Sequence, residues 1–329
     1  MFHKAVDPLR PAQFSEFIGQ ANLKNDIEIL IKAAKKREQM PEHILVSGPP
    51  GTGKTTIAHI VANHLDVNLH AVNAPNVEKP GDIAALLTSM DRPSIIFIDE
   101  IHRLDTKSEE LLYSALEDGK IDVLLGDGYT AKSLTLPLQP FTLIAATTQP
   151  GLLSAPLRDR FGLLLRFDLY SETELSYIVQ RSAELLSIKI ENEAALEIAR
   201  RGRGTPRIAN RWLRRVRDFA EVKEDKNLEN DYITKKTVVN ALESHGIDSL
   251  GLDYTARDIL QKIIKDFKGG PVGLESLAAA TGEARTSIEL VYEPFLIQSG
   301  LLQRTSRGRV ATPKAYKHLE SVDKNKPRN

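Results

Sequence analysis

No cysteine occurs anywhere in the 329 residues. That excludes a disulfide framework and any zinc site built on thiolates. Charge of either sign is not in excess: 44 Lys and Arg balance 44 Asp and Glu. A polyanion could therefore be held only by local basic patches. Long apolar runs are also missing, none approaching the roughly 20 residues that cross a bilayer. The first residues lead straight into charged sequence instead of a secretory leader, so a cytoplasmic protein is expected. Internal repeats and low-complexity segments are absent. What remains is ordinary for a folded chain, 41% hydrophobic and 27% charged, with length for two or three domains.

Three regions follow one another: residues 1–170, 171–243 and 244–329. In the first, HILVSG, SIIFIDE and FTLIAATT read as buried strands alternating with helical patterns, the mark of a parallel α/β sheet. Residues 121–141, IDVLLG and SLTLPL around DGYTAK, read as an inserted β-hairpin. It is either an extension of that sheet or a partner-docking surface, because its alternating apolar residues would be partly exposed. The second region is helical throughout and opens on a capping box, Ser171 with Glu174. The third reads as a helix (Tyr254 to Phe267), the turn GGPVG, two further helices and a basic hairpin, RTSRGRVAT, before a polar tail, KNKPRN.

GPPGTGKTT, Gly48 to Thr56, fits the phosphate-binding loop G-x-x-x-x-G-K-[ST], between a predicted strand and a predicted helix. Gly51 and Gly53 let backbone N–H groups converge on phosphate oxygens, and the helix that follows aims its positive end at them. Lys54 would reach the β- and γ-phosphates and the Thr55 hydroxyl would ligate Mg²⁺; Thr56 completes the nucleotide-contacting set. In SIIFIDEIH, Asp99 and Glu100 emerge where α/β sheets bind ligands. Asp99 is placed to hold Mg²⁺ through water and Glu100 to polarise the attacking water. His102 either couples this site to DNA or caps a helix. Thr147 and Thr148 end the third strand, where a hydroxyl can touch the γ-phosphate.

In APLRDRFG, Arg158 and Arg160 flank Asp159. Two partners are open to them: an intrachain surface acid, worth little, or the γ-phosphate held by another copy, where an arginine in trans accelerates phosphoryl transfer.

GPPGTGKTT, FIDEIHRL, ATT, LLSAPLRDRFG and RGTPRIANRWLRRVRDFA together resemble the RuvB family, AAA+ ATPases that drive branch migration of Holliday junctions. GGPVGLESLAAATGE, YEPFLIQSGLLQRT and RGRVATPKAY extend the likeness from Leu9 to about Leu319. The phosphate loop and acid pair mark only the AAA+ superfamily; LRDRFG, RGTPRIANR and LLQRTSRGR are specific to this family. The resemblance implies an α/β P-loop ATPase domain, a small all-helical lid and a C-terminal winged helix. It implies ATP and Mg²⁺ as cofactors, a homohexameric ring, Holliday-junction duplex DNA as substrate, and RuvA and RuvC as partners in recombination, repair and the SOS response.

By the same resemblance Arg160 is the arginine finger, Thr148 the sensor threonine and Arg207 the second sensor. Leu9 and Arg10 lie over the adenine, and Tyr170 sits at the base-side hinge. Glu117, Asp118 and Gly119 count among the nucleotide-binding positions, and the hairpin 121–141 docks RuvA. Four departures from the family pattern stand out: Thr52 for leucine, Gln149 and Pro150 for Arg-Ala, Trp212 for an aliphatic residue, and a hairpin tip DGYTAKS in place of the usual glycine- and proline-rich one.

Two basic clusters are candidates for DNA. Eight arginines lie between Arg200 and Arg217; Arg207, Arg211, Arg214 and Arg215 share one helical face that serves either DNA or a subunit interface. Leu301 to Lys317 holds five cations and no acid. There Arg304, Arg307 and Arg309 would reach phosphates from a wing, with Arg285 at the start of the preceding helix. No Asn or Gln is placed for base-specific readout. Competing readings are a clamp-loader-like ATPase and a protein-remodelling ATPase.

Overall fold

A computed structural model describes residues 7–125, 132–223 and 232–324. The tip of the expected hairpin, residues 126–131, and the end of the polar tail, 325–329, lie outside them. The chain forms two compact units: one runs to Glu174 and includes Thr205–Arg207, and the other comprises Leu175–Gly204 and the chain from Ile208 onward.

The strands of the first unit are β1 (Ile44–Ser47), β2 (Asn68–Asn73), β3 (Ser94–Asp99), β4 (Lys120–Leu125), β5 (Lys132–Pro137), β6 (Phe141–Thr147) and β7 (Leu163–Arg166). Five of them make a parallel sheet in the order β2-β3-β6-β1-β7. Alternate residues face opposite sides, as the pleat requires. Ile44, Val46, Ile95, Phe97, Ile144 and Ala146 pack against α1 (Ala21–Arg37) and α2 (Lys54–Leu65). Leu45, Ile96, Ile98, Leu143 and Ala145 pack against α3 (Pro80–Thr88), α4 (Thr106–Asp118) and the short α5 (Ala155–Arg158). Helices on both faces explain why the three central strands are unbroken apolar runs. The sheet's two edges escape sequence reading: β2 mixes polar and apolar residues at half-buried and exposed positions, and β7 is a short Leu163–Leu165 run with one buried position.

β4 and β5 pair only with each other, antiparallel, Ile121 opposite Leu136. The hairpin is thus not an extension of the parallel sheet, and that alternative is corrected. Ile121 is fully buried, Leu136 and Leu138 are half-buried against the α3–α4 layer, and Leu134 is exposed.

In the second unit the helices are α6 (Glu172–Leu185), α7 (Asn192–Arg200), α8 (Pro206–Lys223), α9 (Lys235–Ser244), α10 (Tyr254–Lys265), α11 (Leu274–Thr281), α12 (Arg285–Ser287), a π turn (Ile288–Tyr292), α13 (Glu293–Gln298) and α14 (Pro313–Lys324). The capping box forms: Glu174 accepts from Ser171 N–H at 2.9 Å and Ser171 Oγ accepts from Glu174 N–H at 3.2 Å. β8 (Leu302–Thr305) and β9 (Gly308–Ala311) make the wing. α14, unforeseen in sequence, buries Ala315 and Leu319 against Ile259, Leu260 and Ile263 of α10. Among the described residues no helix is long and apolar enough to cross a membrane.

Candidate nucleotide site and basic wing

The phosphate loop connects β1 to α2. Gly51 sits at φ +80°, and a Cβ there would come within 2.9 Å of Arg207 Cβ, so a side chain is excluded twice over. Arg207 N–H donates to Gly51 O at 3.4 Å. Thr52 is fully buried; its hydroxyl donates to Pro49 O at 2.9 Å, and its own carbonyl accepts from the Tyr170 hydroxyl at 2.9 Å. Burial, then the Glu174 charge, pushes the Tyr170 phenol up and keeps it a donor. The Thr52 departure is thereby accommodated by one hydrogen bond inside the loop.

Lys54 opens α2 and is almost wholly buried; Nζ donates to Gly48 O and Pro49 O, each at 2.8 Å. Burial lowers its ammonium to about 8, with Asp99 and Glu100 pulling it up and Arg207 down. Lys54, Asp99, Glu100 and Arg207 therefore share one electrostatic neighbourhood, gathered from three separate stretches of chain. Thr55 and Thr56 are half-buried in the first turn of α2, where backbone N–H groups lack helical partners. Leu9 is buried, and Arg10 places Nη1 2.5 Å from Nε2 of His59 on α2. Burial, then Arg10 itself, holds His59 below its usual range, leaving a neutral ring to accept.

Asp99 ends β3 and accepts from Glu100 N–H at 3.0 Å. Glu100 sits at φ +53°, a left-handed conformation that a side chain adopts at a cost of about 1–3 kcal/mol. Its carboxylate accepts from Arg103 at 3.2 Å. His102 does not cap a helix. Its Nδ1 lies 2.9 Å from Thr147 Oγ1, which also accepts from Gln149 N–H at 3.0 Å. The Thr147 oxygen has a proton to give and a second lone pair to accept with, so the direction of this bond follows the imidazole tautomer. Burial lowers His102 from its usual range, against the pull of Glu100. The acid loop after β3 is thus pinned to the end of β6 through Thr147, and Thr148, half-buried, follows it.

Arg160 lies elsewhere. His43, just before β1, accepts from Leu143 N–H at 3.0 Å and donates through Nε2 to Leu116 O at 3.3 Å, which puts the last turn of α4 at the N-terminal edge of the sheet. Leu163 N–H donates to His43 O at 3.3 Å and Leu163 pairs with Ile44, so the residues before β7 reach the same edge. There Arg160 Nη2 donates to Glu117 Oε2 at 2.5 Å, beside Asp118 and the helix-capping Gly119. Arg160 Nε is buried without a partner. The phosphate loop is at the other end of β1, four residues or about 13 Å of strand away.

The basic clusters separate into exposed and buried arginines. Arg201 is 2% exposed and paired with Glu197 at 2.9 Å, and Arg203 is paired with Asp253 at 2.9 Å. Arg207, Arg211 and Arg215 are exposed and Arg214 half-buried. Trp212 fills the core of this region, its indole N–H donating to Arg201 O at 3.0 Å, with Arg211 over the ring at 4.5 Å. On the wing, Arg304 and Arg307 are exposed. Arg309 was expected beside them and is corrected: it points inward and donates from Nε and Nη2 to Glu293 Oε2 at 3.1 and 2.8 Å. Arg285 is exposed and pairs with Glu275 at 2.5 Å. Glu293 and His43 were missed in sequence because their roles depend on which elements pack together.

A parallel sheet with a phosphate loop at its centre, a strand-end acid pair, a helical region and a winged helix define a P-loop nucleoside triphosphatase with an appended nucleic-acid-binding fold. Three family models match in succession: the RuvB P-loop domain over residues 9–167, the RuvB AAA lid domain over 170–248 and the RuvB C-terminal winged helix domain over 249–320. The chain is 52% identical over 315 residues to the Holliday junction branch migration complex subunit RuvB of Fusobacterium nucleatum, covering 96% of this chain and 93% of that one. It is 49% identical to the subunit of the same name from Staphylococcus haemolyticus, over 96% and 94%. The solved structure of the Thermotoga maritima RuvB Holliday junction branch migration motor superposes with TM-score 0.85 at 47% identity, over 95% of this chain and 99% of that one. A mutant of the Thermotoga protein gives 0.86 at 48%, with the same coverage. This chain belongs to the RuvB family.

Proposed function

We propose that the chain is an ATP-driven translocase that pumps duplex DNA and so drives branch migration of Holliday junctions in recombination and repair. It works as a homohexameric ring with RuvA docked through residues 121–141 and RuvC in the same complex, in the cytoplasm and within the SOS response. The observation that carries this reading is the separation of Arg160 from Lys54: one chain holds a phosphate loop on one sheet edge and an under-used arginine on the other. Stacking copies edge to edge gives every phosphate loop a neighbour's arginine, and closure of such a head-to-tail contact makes a ring.

The phosphate-loop amides and Lys54 hold the β- and γ-phosphates, with Leu9, Arg10 and Tyr170 toward the base. Among the described residues no three His, Asp or Glu side chains converge on a metal cage. Mg²⁺ in phosphoryl-transfer sites takes only one or two protein oxygens beside the phosphates, so the Thr55 hydroxyl and the Asp99 carboxylate suffice. The ion would neutralise charge on the phosphates. Glu100 orients the attacking water. Thr148 and Arg207 report the γ-phosphate. Arg160 of the neighbouring copy stabilises the charge that develops in transfer, with Glu117, Asp118 and Gly119 forming the neighbour's side of the site. Arg304 and Arg307, assisted by Arg285, grip phosphates without reading sequence, as a translocating motor requires.

The test is dissociation of a synthetic four-way junction with and without the cognate RuvA. ATP-dependent dissociation that rises with RuvA is expected. ATP turnover without dissociation would overturn the motor reading and leave a clamp-loader-like or protein-remodelling ATPase.

A further inference from the structure

The seven residues Arg201 to Arg207, RGRGTPR, pass from the second compact unit into the first: Gly204 belongs to the one and Thr205–Arg207 to the other. At its far end the segment lies on the phosphate loop, through Arg207 N–H and Gly51 O. Its near end is fastened with unusual density. Arg203, non-glycine at φ +51°, is buried and donates from Nε to Gly251 O at 2.6 Å and from Nη2 to Asp253 Oδ2 at 2.9 Å, with its guanidinium 5.5 Å from the centre of the Phe295 ring. Arg201 adds a bond to Ile247 O at 3.3 Å. Gly251, at φ +78°, has no room for a Cβ, which would lie 2.5 Å from Arg201 O, so the two backbones are flush.

The stretch so gripped, Ile247 to Asp253, leads into the winged helix and is anchored there too. Asp248 accepts from Leu250 and Leu252 N–H at 3.0 and 2.9 Å and from His318 Nε2 of α14 at 2.9 Å. Asp253 caps α10 through Ala256 N–H at 2.8 Å, and Arg257 of α10 donates to Gly246 O and Leu252 O. A continuous run of buried and part-buried contacts therefore joins the RGRGTPR segment to α10, α13 and α14. Each contact is directional, and a buried guanidinium is tolerated only while its partners stay in place.

We propose that Arg203 is a positioning residue of the motor: a strut that makes the lid segment and the winged helix move together, so that displacement at Arg207 reaches the DNA-gripping wing. The proposal rests on the motor reading above. Only three residues separate Arg203 from Arg207, so little slack lies between the nucleotide contact and the clamp. Lysine cannot replace the arginine fully, because one ammonium does not span a carbonyl, a carboxylate and an aromatic face at once.

The experiment compares full-length wild type, Arg203→Ala and Arg203→Lys, with cognate RuvA. ATP turnover, duplex binding, four-way junction dissociation and thermal midpoint are measured side by side. Ile263→Val, a core trim within α10, controls for simple destabilisation. Arg203→Ala is expected to keep turnover and duplex binding within about twofold while junctions dissociated per ATP fall about tenfold, with Arg203→Lys in between. An unchanged ratio in the folded variants, or an equal fall in Ile263→Val, overturns the strut. If Arg203→Ala does not fold, Arg203→Lys decides alone. Amide exchange over residues 247–253 gives a second readout: a non-hydrolysable ATP analogue is expected to alter it in wild type and not in Arg203→Lys, and equal responses also overturn the proposal. Should wild type dissociate no junctions, the motor reading fails, while the exchange result still judges the strut.

Discussion

Two arginine–glutamate pairs, one on each unit, look alike in sequence and differ in what surrounds them. Arg309 and Glu293, between wing and α13, are 8% and 2% exposed. Arg160 and Glu117, at the N-terminal sheet edge, are 33% and 58% exposed. The first pair has left water, so each charge depends on the other and the arginine is committed to holding the wing in place. The second remains half in water, where an ion pair contributes little, and its Nε has no partner at all. An arginine that does little for its own fold is available to another subunit's chemistry; one that is buried is not.

The comparison breaks most decisively at Arg160. Arg160→Ala is expected to lower ATP turnover by about 10³–10⁵, the range for an arginine finger, while ATP binding and thermal midpoint stay near wild type. Mixing that variant with Lys54→Ala should restore part of the turnover, because each supplies what the other lacks; mixtures as inactive as their components would refute a shared site. Arg309→Ala should instead cost about 3–5 kcal/mol in denaturant unfolding by leaving the buried Glu293 with only the distant Arg304, at 3.9 Å, as a counter-charge. A loss under about 1 kcal/mol would mean that the inward arginine is dispensable.

Asp248 extends the buried class and adds a pH signature. Burial alone would raise its carboxyl, but the His318 hydrogen bond and the Leu252 and Leu250 amides outweigh burial and hold it below the usual 3.8. Its contribution is therefore present above 3.8 and lost as pH falls through the lower folded value. Acid unfolding followed by circular dichroism should show a shallower low-pH limb in Asp248→Asn than in wild type. On the exposed side of the wing, Arg304→Ala and Arg307→Ala should each reduce the log–log salt slope of duplex binding by about 1, with stability changed by less than about 0.5 kcal/mol. Glu117→Ala marks the small end, with an unfolding change within about 1 kcal/mol.

Much of this was legible because local chemistry forces it. The phosphate loop needs its glycines and lysine in one short stretch, and strands covered on both faces must be apolar runs, so β1, β3 and β6 declare themselves, with the phosphate loop after the first and Asp99 and Thr147 ending the other two. The capping box of α6 is equally local. β2 and β7 were not legible: β2 meets solvent and mixes polar with apolar residues, and β7 is only three leucines long before Arg166. Nor was the independence of the β4–β5 hairpin, because alternating residues fit a sheet edge and a free hairpin equally well.

Residue type and spacing thus determined that this chain folds a phosphate loop on a parallel sheet, followed by helices and a basic hairpin. Whether a given arginine faces a phosphate or a glutamate was decided by packing. Glu293 lies 16 residues from Arg309, and Glu117 lies 43 from Arg160. Charge is a property of the residue, but exposure and partner are properties of the elements brought against it, and no local pattern encodes those.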